Sequence, residues 1–286
     1  DMWPYCGAEH YTNDRRFIDG YNKKNKPGYE KGFDINKWVW SRKIKSWNKK
    51  FNIICTSKWQ MKMASQSQLF KNQNIYLIHL PLNFELWRPT DKNEAKKKLN
   101  LNIKKKLLIF GVADQLNNKR KGINFLIEGL KNLKYDKNKI SLGLFGQSNL
   151  NLNNNLKDLN LEIINFGKIE NFEKLRLIYS AADLLIMPSI MESFGQIALE
   201  SSACETASIA FENTGVEDII DHKITGYIAK YQSISDLSEG IEWCLNMNMS
   251  NALGKSARIN TIKKFSYRAI ANQYKTVYDQ INYNNV

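Results

Sequence analysis

The sequence predicts an α/β fold built on parallel, doubly wound sheet, and three observations carry that reading. Leu107-Leu108-Ile109-Phe110-Gly111 and Ile140-Ser141-Leu142-Gly143-Leu144-Phe145-Gly146 read as strands, with a helix from Asn124 to Leu133 between them. Strand, helix and strand with glycine after each strand is the pattern of a parallel sheet whose ligands sit at the carboxyl ends of its strands. Further on, Ala182-Asp183-Leu184-Leu185-Ile186-Met187-Pro188-Ser189 is a short buried strand, apolar on both faces and closed by Pro188. Upstream, Asn52-Ile53-Ile54-Cys55-Thr56-Ser57 is a strand entering a turn, with Ser57 placed to cap the helix that follows.

The remaining elements follow from local pattern. Residues 1 to 34 are rich in Gly, Asn and Lys and lack periodicity, which predicts a long loop. Asp34 to Lys50 reads as a helix offering Trp38, Ile44 and Trp47 to an apolar face. Ile75 to Leu80 is a strand ended by Pro81, and Trp87-Arg88-Pro89 begins a linker. The asparagine-rich tract around 149 to 155 reads as a flexible surface loop. Ser266 is a natural cap for a last helix running through Ala269, Ala271, Tyr274, Val277 and Tyr278.

Composition bounds the function class. The chain has 286 residues, 43% hydrophobic and 24% charged, enough to bury a real core. No apolar run approaches the roughly 20 residues of a membrane-spanning helix and no signal peptide is visible, so a cytoplasmic protein is expected. Cys6, Cys55, Cys204 and Cys244 are widely separated, which argues for reduced thiols rather than zinc or redox chemistry. The net charge of +14 raises nucleic acid as a partner, but no helix-turn-helix, zinc finger or RNA-binding signature accompanies it. Lys96-Lys97-Lys98 and Lys104-Lys105-Lys106 read instead as solvated surface. An intermediate expectation is peripheral contact with the anionic inner face of a membrane through Trp38, Trp40, Arg42, Lys43 and Trp47.

Two places suit an anionic, polyhydroxylated ligand. Glu192 falls in the loop after the strand that Pro188 closes, and from Phe194 the apolar spacing turns helical (Phe194, Ile197, Ala198). The N–H groups of Phe194, Gly195 and Gln196 therefore open a helix, the kind of end that binds anions. Gly195 lets a phosphate approach closely, and Glu200, further along, can accept from hydroxyls. Lys119-Arg120-Lys121-Gly122 is the second place: a basic cluster at a helix start works against the helix dipole unless an anion sits there.

Residues 163 to 228 contain, in order, Ile-Ile-Asn-Phe-Gly-Lys-Ile, Leu-Ile-Tyr-Ser-Ala-Ala-Asp, Met-Pro-Ser, Glu-Ser-Phe-Gly, Leu-Glu-Ser-Ser-Ala-Cys, Thr-Gly-Val-Glu-Asp-Ile-Ile and Thr-Gly-Tyr-Ile. This ordered set resembles the donor domain of the GT-B, family 4 type retaining glycosyltransferases, also called glycosyl transferases group 1. The resemblance implies a GT-B fold of two Rossmann-like domains, the first incomplete in this chain. The implied division is a partial acceptor-side domain at 1–88, a nucleotide-sugar donor domain at 89–265, and a helix at 266–286 crossing back. It assigns Lys121, with Arg120, to the donor diphosphate, Glu192 to the sugar hydroxyls at the reacting centre, and Glu200 to the ribose. Phe194, Gly195 and Gln196 complete the donor site. With no Asp-x-Asp motif in the chain, cations and helix dipole are expected to serve in place of a metal, and no cofactor is expected beyond the nucleoside diphosphate sugar itself.

Asp1-Met2-Trp3-Pro4 with His10-Tyr11 resembles a subset of these enzymes in which a histidine precedes the aspartate, so an upstream segment is expected. Four departures stand out: Val112 follows Gly111 where the family has arginine, Glu205 stands where it has glycine, Thr214-Gly215 replaces a glycine pair, and Ala8, Glu9 and Tyr21 replace loop cysteines. A glutamate in a left-handed position should cost about 1 kcal/mol or more, and is expected to place a negative side chain near the donor pocket. His10, His79 and His222 read as structural. Two functions remain: a hexosyltransferase acting on a polysaccharide or glycolipid acceptor, or an inactive sugar-nucleotide or glycan-binding protein derived from one. An epimerase on the same fold fits the Glu192 to Glu200 block less well.

Overall fold

A computed structural model describes residues 1–111, 119–146, 156, 158–247 and 251–283. At the amino end, regular structure is limited to a turn of 3-10 helix at Trp3–Tyr5 and one turn of α-helix, α1 (Arg16–Asp19). Buried charge orders this long loop. Arg16 is 1% exposed, donates to Glu30 at 3.3 Å and Asp34 at 2.5 Å, and lies 4.5 Å from the Tyr21 ring centre. Helix α2 (Ile35–Ser46) starts on Asp34, whose carboxylate accepts the Lys37 N–H. The apolar face expected of this helix is not there: Trp38 and Ile44 are exposed, and the inward side carries Asn36 and Lys43. The reason lies in what α2 covers, which is loop backbone rather than an apolar core. Lys43 Nζ donates to the carbonyls of Trp3, Cys6 and Gly7, satisfying oxygens that the irregular chain leaves unpaired, while burial pushes its ammonium down to about 8. Trp47 does pack inward, stacking 5.8 Å from Phe70.

Strands β1 (Asn52–Cys55) and β2 (Asn74–Leu77) pair in parallel with Ile53 opposite Ile75. They are joined by α3 (Lys58–Gln66), whose cap Ser57 accepts the Gln60 N–H.

The rest of the chain alternates regularly: α4 (Lys92–Lys98), β3 (Lys106–Gly111), α5 (Ile123–Lys131), β4 (Ile140–Phe145), β5 (Glu162–Gly167), α6 (Phe172–Ala181), β6 (Leu184–Met187), α7 (Gln196–Ala203), β7 (Ser208–Phe211) and β8 (Gly226–Ala229). Then come α8 (Ile234–Met247), α9 (Ala252–Phe265) and α10 (Tyr267–Tyr283). The Ser266 hydroxyl accepts the Ala269 N–H, as its capping position predicts. Among the described residues six strands form one all-parallel sheet in the order β5-β4-β3-β6-β7-β8. β4, β6 and β7 are buried along their whole length, the signature of a sheet covered on both faces. Leu108 lies in register between Leu142 and Leu184, and Leu126, Leu130, Leu237 and Ile241 close the core from α5 and α8.

Two of the lysines read as solvated surface have another role. Asp183, nearly buried just ahead of β6, accepts from Lys92 (3.3 Å), Lys96 (3.0 Å), Lys106 (3.3 Å) and the Leu107 N–H. Burial alone would raise this carboxyl, but the three ammonium groups and the Leu107 N–H outweigh it and hold it at about 2. Lys96 is itself buried, so charge ties α4 to the residue just ahead of β6.

The chain groups into two units. One contains Asp1–Leu80, Glu192–Phe194 and the chain from Ala271; the other contains Pro81–Met191 and Gly195–Ile270. The asparagine tract at 149–155 and Val112 lie outside the described residues. Cys6, Cys55, Cys204 and Cys244 are buried free thiols. Among the described residues no helix is long and apolar enough to cross a membrane.

Candidate functional site

In the six-stranded sheet β3 pairs with β4 on one side and β6 on the other. The chain winds outward from β3 through β4 to β5 and returns through β6 on the other side, so the loops after β3 and β6 leave the carboxyl edge at the sheet's switch point. Every candidate residue lies on one of those two loops or on the helix that opens after the second.

The first loop ends in a 3-10 turn, Lys119–Lys121, followed by Gly122 at φ +75°. A Cβ on Gly122 would fall 1.8 Å from the carbonyl oxygen of Pro188 at the end of β6, so only glycine lets the two loops come this close. They are also bonded: Ile190 N–H donates to Arg120 O at 2.8 Å, and Arg120 Nη1 donates to Met191 O at 2.8 Å. Arg120 thus ties the loops together, a structural task that its sequence position did not disclose. Lys121, half-buried, is the last residue before Gly122 and the start of α5.

The second loop carries Glu192, half-buried, and Phe194, fully buried with its ring 6.1 Å from that of His79; both fall in the stretch grouped with the first unit. Helix α7 opens at Gln196 with Gly195 as its cap, so Phe194 lies one residue ahead of the cap with its ring buried. Gly195 sits at φ +98°, and a Cβ there would lie 2.8 Å from Val216 Cγ2. Ala198 N–H and Leu199 N–H both bond to Gly195 O, which leaves the N–H groups of Gln196 and Ile197 ahead of the first intrahelical bond. A cationic turn and the positive end of a helix therefore stand on the loops of neighbouring strands, an arrangement suited to an anion.

Glu200 lies one turn into α7. Its Oε2 accepts from Tyr179 Oη at 3.0 Å and its Oε1 from Gln196 Nε2 at 3.3 Å. Burial raises the Glu200 carboxyl above its ordinary value, partly countered by those two donors. Tyr179, fully buried in α6, has its hydroxyl pushed well up by desolvation and then by Glu200, so it remains a donor. Nothing in the sequence pointed to this partner, because a tyrosine inside Leu-Ile-Tyr-Ser-Ala-Ala reads as core.

Glu205 occupies the left-handed region at φ +62°, as its place after the helix predicts. Its expected position near the donor pocket is corrected by the geometry. It follows the carboxyl end of α7, nine residues from Gln196 and about 13 Å along the helix from the end that opens the site. The three histidines make structural contacts: His10 with Asp1 at 2.7 Å, His79 with Phe194, and His222 accepting from Ile228 N–H at 3.1 Å. Among the described residues no group of three or more His, Cys, Asp or Glu could hold a metal ion.

The family pattern described as glycosyl transferases group 1 matches residues 91–260, the block that contains both loops and α7. The chain belongs to that family. Relatives in sequence include the N-acetyl-alpha-D-glucosaminyl L-malate synthase of Bacillus anthracis, 28% identical over 43% of this chain and 32% of the relative. An uncharacterized glycosyltransferase of Methanocaldococcus jannaschii is 27% identical over 57% of this chain and 45% of its own length. The chain thus spans less than half of these relatives. Among solved structures, sucrose-phosphate synthase from Thermosynechococcus elongatus superposes with a TM-score of 0.68 at 26% identity, over 82% of this chain and 59% of that one. Anabaena HepE in complex with UDP-glucose gives 0.63 at 15% identity, over 80% and 63%, a likeness of fold. The fold is accordingly the GT-B class shared by these glycosyltransferases.

Proposed function

We propose that this group 1 glycosyltransferase is a retaining hexosyltransferase that moves a sugar from a nucleoside diphosphate sugar to a polysaccharide or glycolipid acceptor. The observation that carries the reading is the clamp between Lys119–Gly122 and Pro188–Met191 at the sheet's switch point, with α7 opening at the end of the second of these loops. HepE, a relative in fold, is described in complex with UDP and with UDP-glucose, which supports a nucleoside diphosphate as the ligand here.

In this reading Lys121 binds the diphosphate, Arg120 holds the turn while adding positive field, and the N–H groups at the start of α7 face the phosphate oxygens. As the bond from anomeric carbon to phosphate oxygen breaks, the electron pair stays with the phosphate. Donors fixed in advance around that oxygen lower the barrier because they need no reorganisation. This cationic arrangement takes the place of a metal. Glu192 orients the sugar hydroxyls, Glu200 accepts from the ribose hydroxyls, and Tyr179 holds the Glu200 carboxylate in position. The transferred sugar keeps its anomeric configuration.

The test is turnover of UDP-glucose and GDP-mannose followed by proton magnetic resonance. Release of nucleoside diphosphate with the α-anomer formed first supports a retaining enzyme. Inversion would refute retention, and binding without release would leave the chain a sugar-nucleotide binding protein.

A further inference from the structure

The charge of this chain is not spread evenly. Residues 22–50 contain ten Lys and Arg against two acidic residues, so a tenth of the chain holds +8 of its net +14. The two acids, Glu30 and Asp34, are both taken up by buried Arg16. Seven of the ten basic residues are exposed, including Lys23, Lys24, Lys31 and Lys45. No nearby acid of this segment offsets them.

The same segment exposes large apolar side chains. Tyr29 is 80% exposed, Phe33 72%, Ile35 48% and Trp38 46%. Burial settles how α2 presents them: Asn36 and Lys43 turn inward, while Ile35, Trp38, Arg42 and Lys45, spaced i, i+3, i+7 and i+10, share the outward side. Arg42 lies 4.9 Å from the Trp38 ring centre, a pairing of indole and guanidinium. Lys26 Nζ donates to Gly32 O at 2.6 Å and closes the loop on itself, and Asn36 Nδ2 donates to Glu30 at 2.9 Å and holds the loop beside the helix.

We propose that this face docks on an anionic lipid surface, with Tyr29, Phe33, Ile35 and Trp38 entering the headgroup region between lysines that meet the lipid phosphates. Exposed aromatic and aliphatic groups interleaved with lysine suit the boundary between water and acyl chain. A protein partner fits less well, since protein interfaces are depleted in lysine at their centre. A single-stranded nucleic acid would use the aromatic rings but has no use for an aliphatic Ile35 on the same face. The residues differ from those the sequence suggested: Lys43 is buried, Trp40 and Trp47 are partly covered, and Tyr29, Phe33 and Ile35 take their place. The proposal names the surface on which the acceptor of the proposed transferase is met, yet it stands on surface chemistry independent of the donor site.

The experiment is vesicle co-sedimentation of the whole chain with phosphatidylcholine alone and with about 30 mol% phosphatidylglycerol, at about 0.1 M and 0.5 M salt. Binding of UDP and GDP is measured in parallel, so that failure of the donor site is seen separately. The wild type should sediment with the anionic vesicles only, and less at high salt. Together Lys23→Glu, Lys24→Glu and Lys31→Glu should weaken that binding at least about 100-fold, from about fivefold per basic residue lost. Tyr29→Ser with Phe33→Ser should remove the fraction that survives high salt. Equal partition to neutral and anionic vesicles, wild-type binding by both variants, or tighter binding to a single-stranded oligonucleotide than to vesicles would each overturn the proposal.

Discussion

Replacing Gly122 with alanine tests the clamp at the heart of the site. The residue holds φ +75°, which costs an L-residue about 1–2 kcal/mol. Its new Cβ would also lie 1.8 Å from Pro188 O, where real contacts do not fall below 3.0 Å, so one loop must move by at least 1.2 Å. Displacement of that size in a packed region costs about 1–3 kcal/mol more. Applied to the 2.8 Å bond from Ile190 N–H to Arg120 O, it also breaks the tie between the loops. The expected loss is about 2–5 kcal/mol, read from urea unfolding, with nucleoside diphosphate affinity down at least about tenfold because Lys121 moves with its neighbour. Gly28→Ala is the control, since nothing lies within 4 Å of its Cβ and stability should change by less than about 0.5 kcal/mol. A Gly122→Ala variant as stable as that control, with unaltered nucleotide affinity, would refute the reasoning.

Glu205→Gly should stabilise the chain by about 0.5–1 kcal/mol, because relief of the left-handed backbone outweighs the added freedom of the unfolded glycine; a raised unfolding midpoint checks it. Asp183 sits at about 2 when folded against the ordinary 3.8, so the folded state binds its proton less readily than the unfolded one. Its contribution of about 2 kcal/mol is full above pH 4 and disappears as the pH falls toward 2, and the acid arm of the stability curve should flatten in Asp183→Asn, which is also less stable at neutral pH. Tyr179→Phe removes a donor from Glu200 and should push that carboxyl higher still. Nucleotide affinity in the wild type should then decline as the pH falls through the raised Glu200 value, and the decline should begin at higher pH in the variant, as calorimetry at stepped pH would show.

Strand positions were readable because fully buried parallel strands leave short apolar runs closed by Gly or Pro, as in Leu107–Gly111 and Leu184–Pro188. Caps at Ser57 and Ser266 were readable because a hydroxyl before a helix has one strong local use. The left-handed Glu205 was readable from its place after a helix. What escaped were side chains whose role depends on partners distant in sequence. Lys43 meets loop carbonyls some forty residues away. Lys96 and Lys106 meet Asp183 across the fold. Arg120 bonds to Met191 across 71 positions, and Tyr179 to Glu200 across 21. Lysine and arginine on a helix or turn look solvated until the opposing element is known. The reading of α2 failed for the related reason that hydrophobic spacing reports an apolar neighbour, and its neighbour is polar backbone.

The most direct test of the central claim is calorimetric titration of the chain with UDP and GDP, alongside Lys121→Ala and Glu200→Gln. The account predicts micromolar binding of one nucleoside diphosphate, weakened about 10- to 100-fold by losing the Lys121 charge and severalfold by neutralising Glu200. Absence of binding to either nucleotide, or binding that both variants retain at wild-type strength, would contradict it.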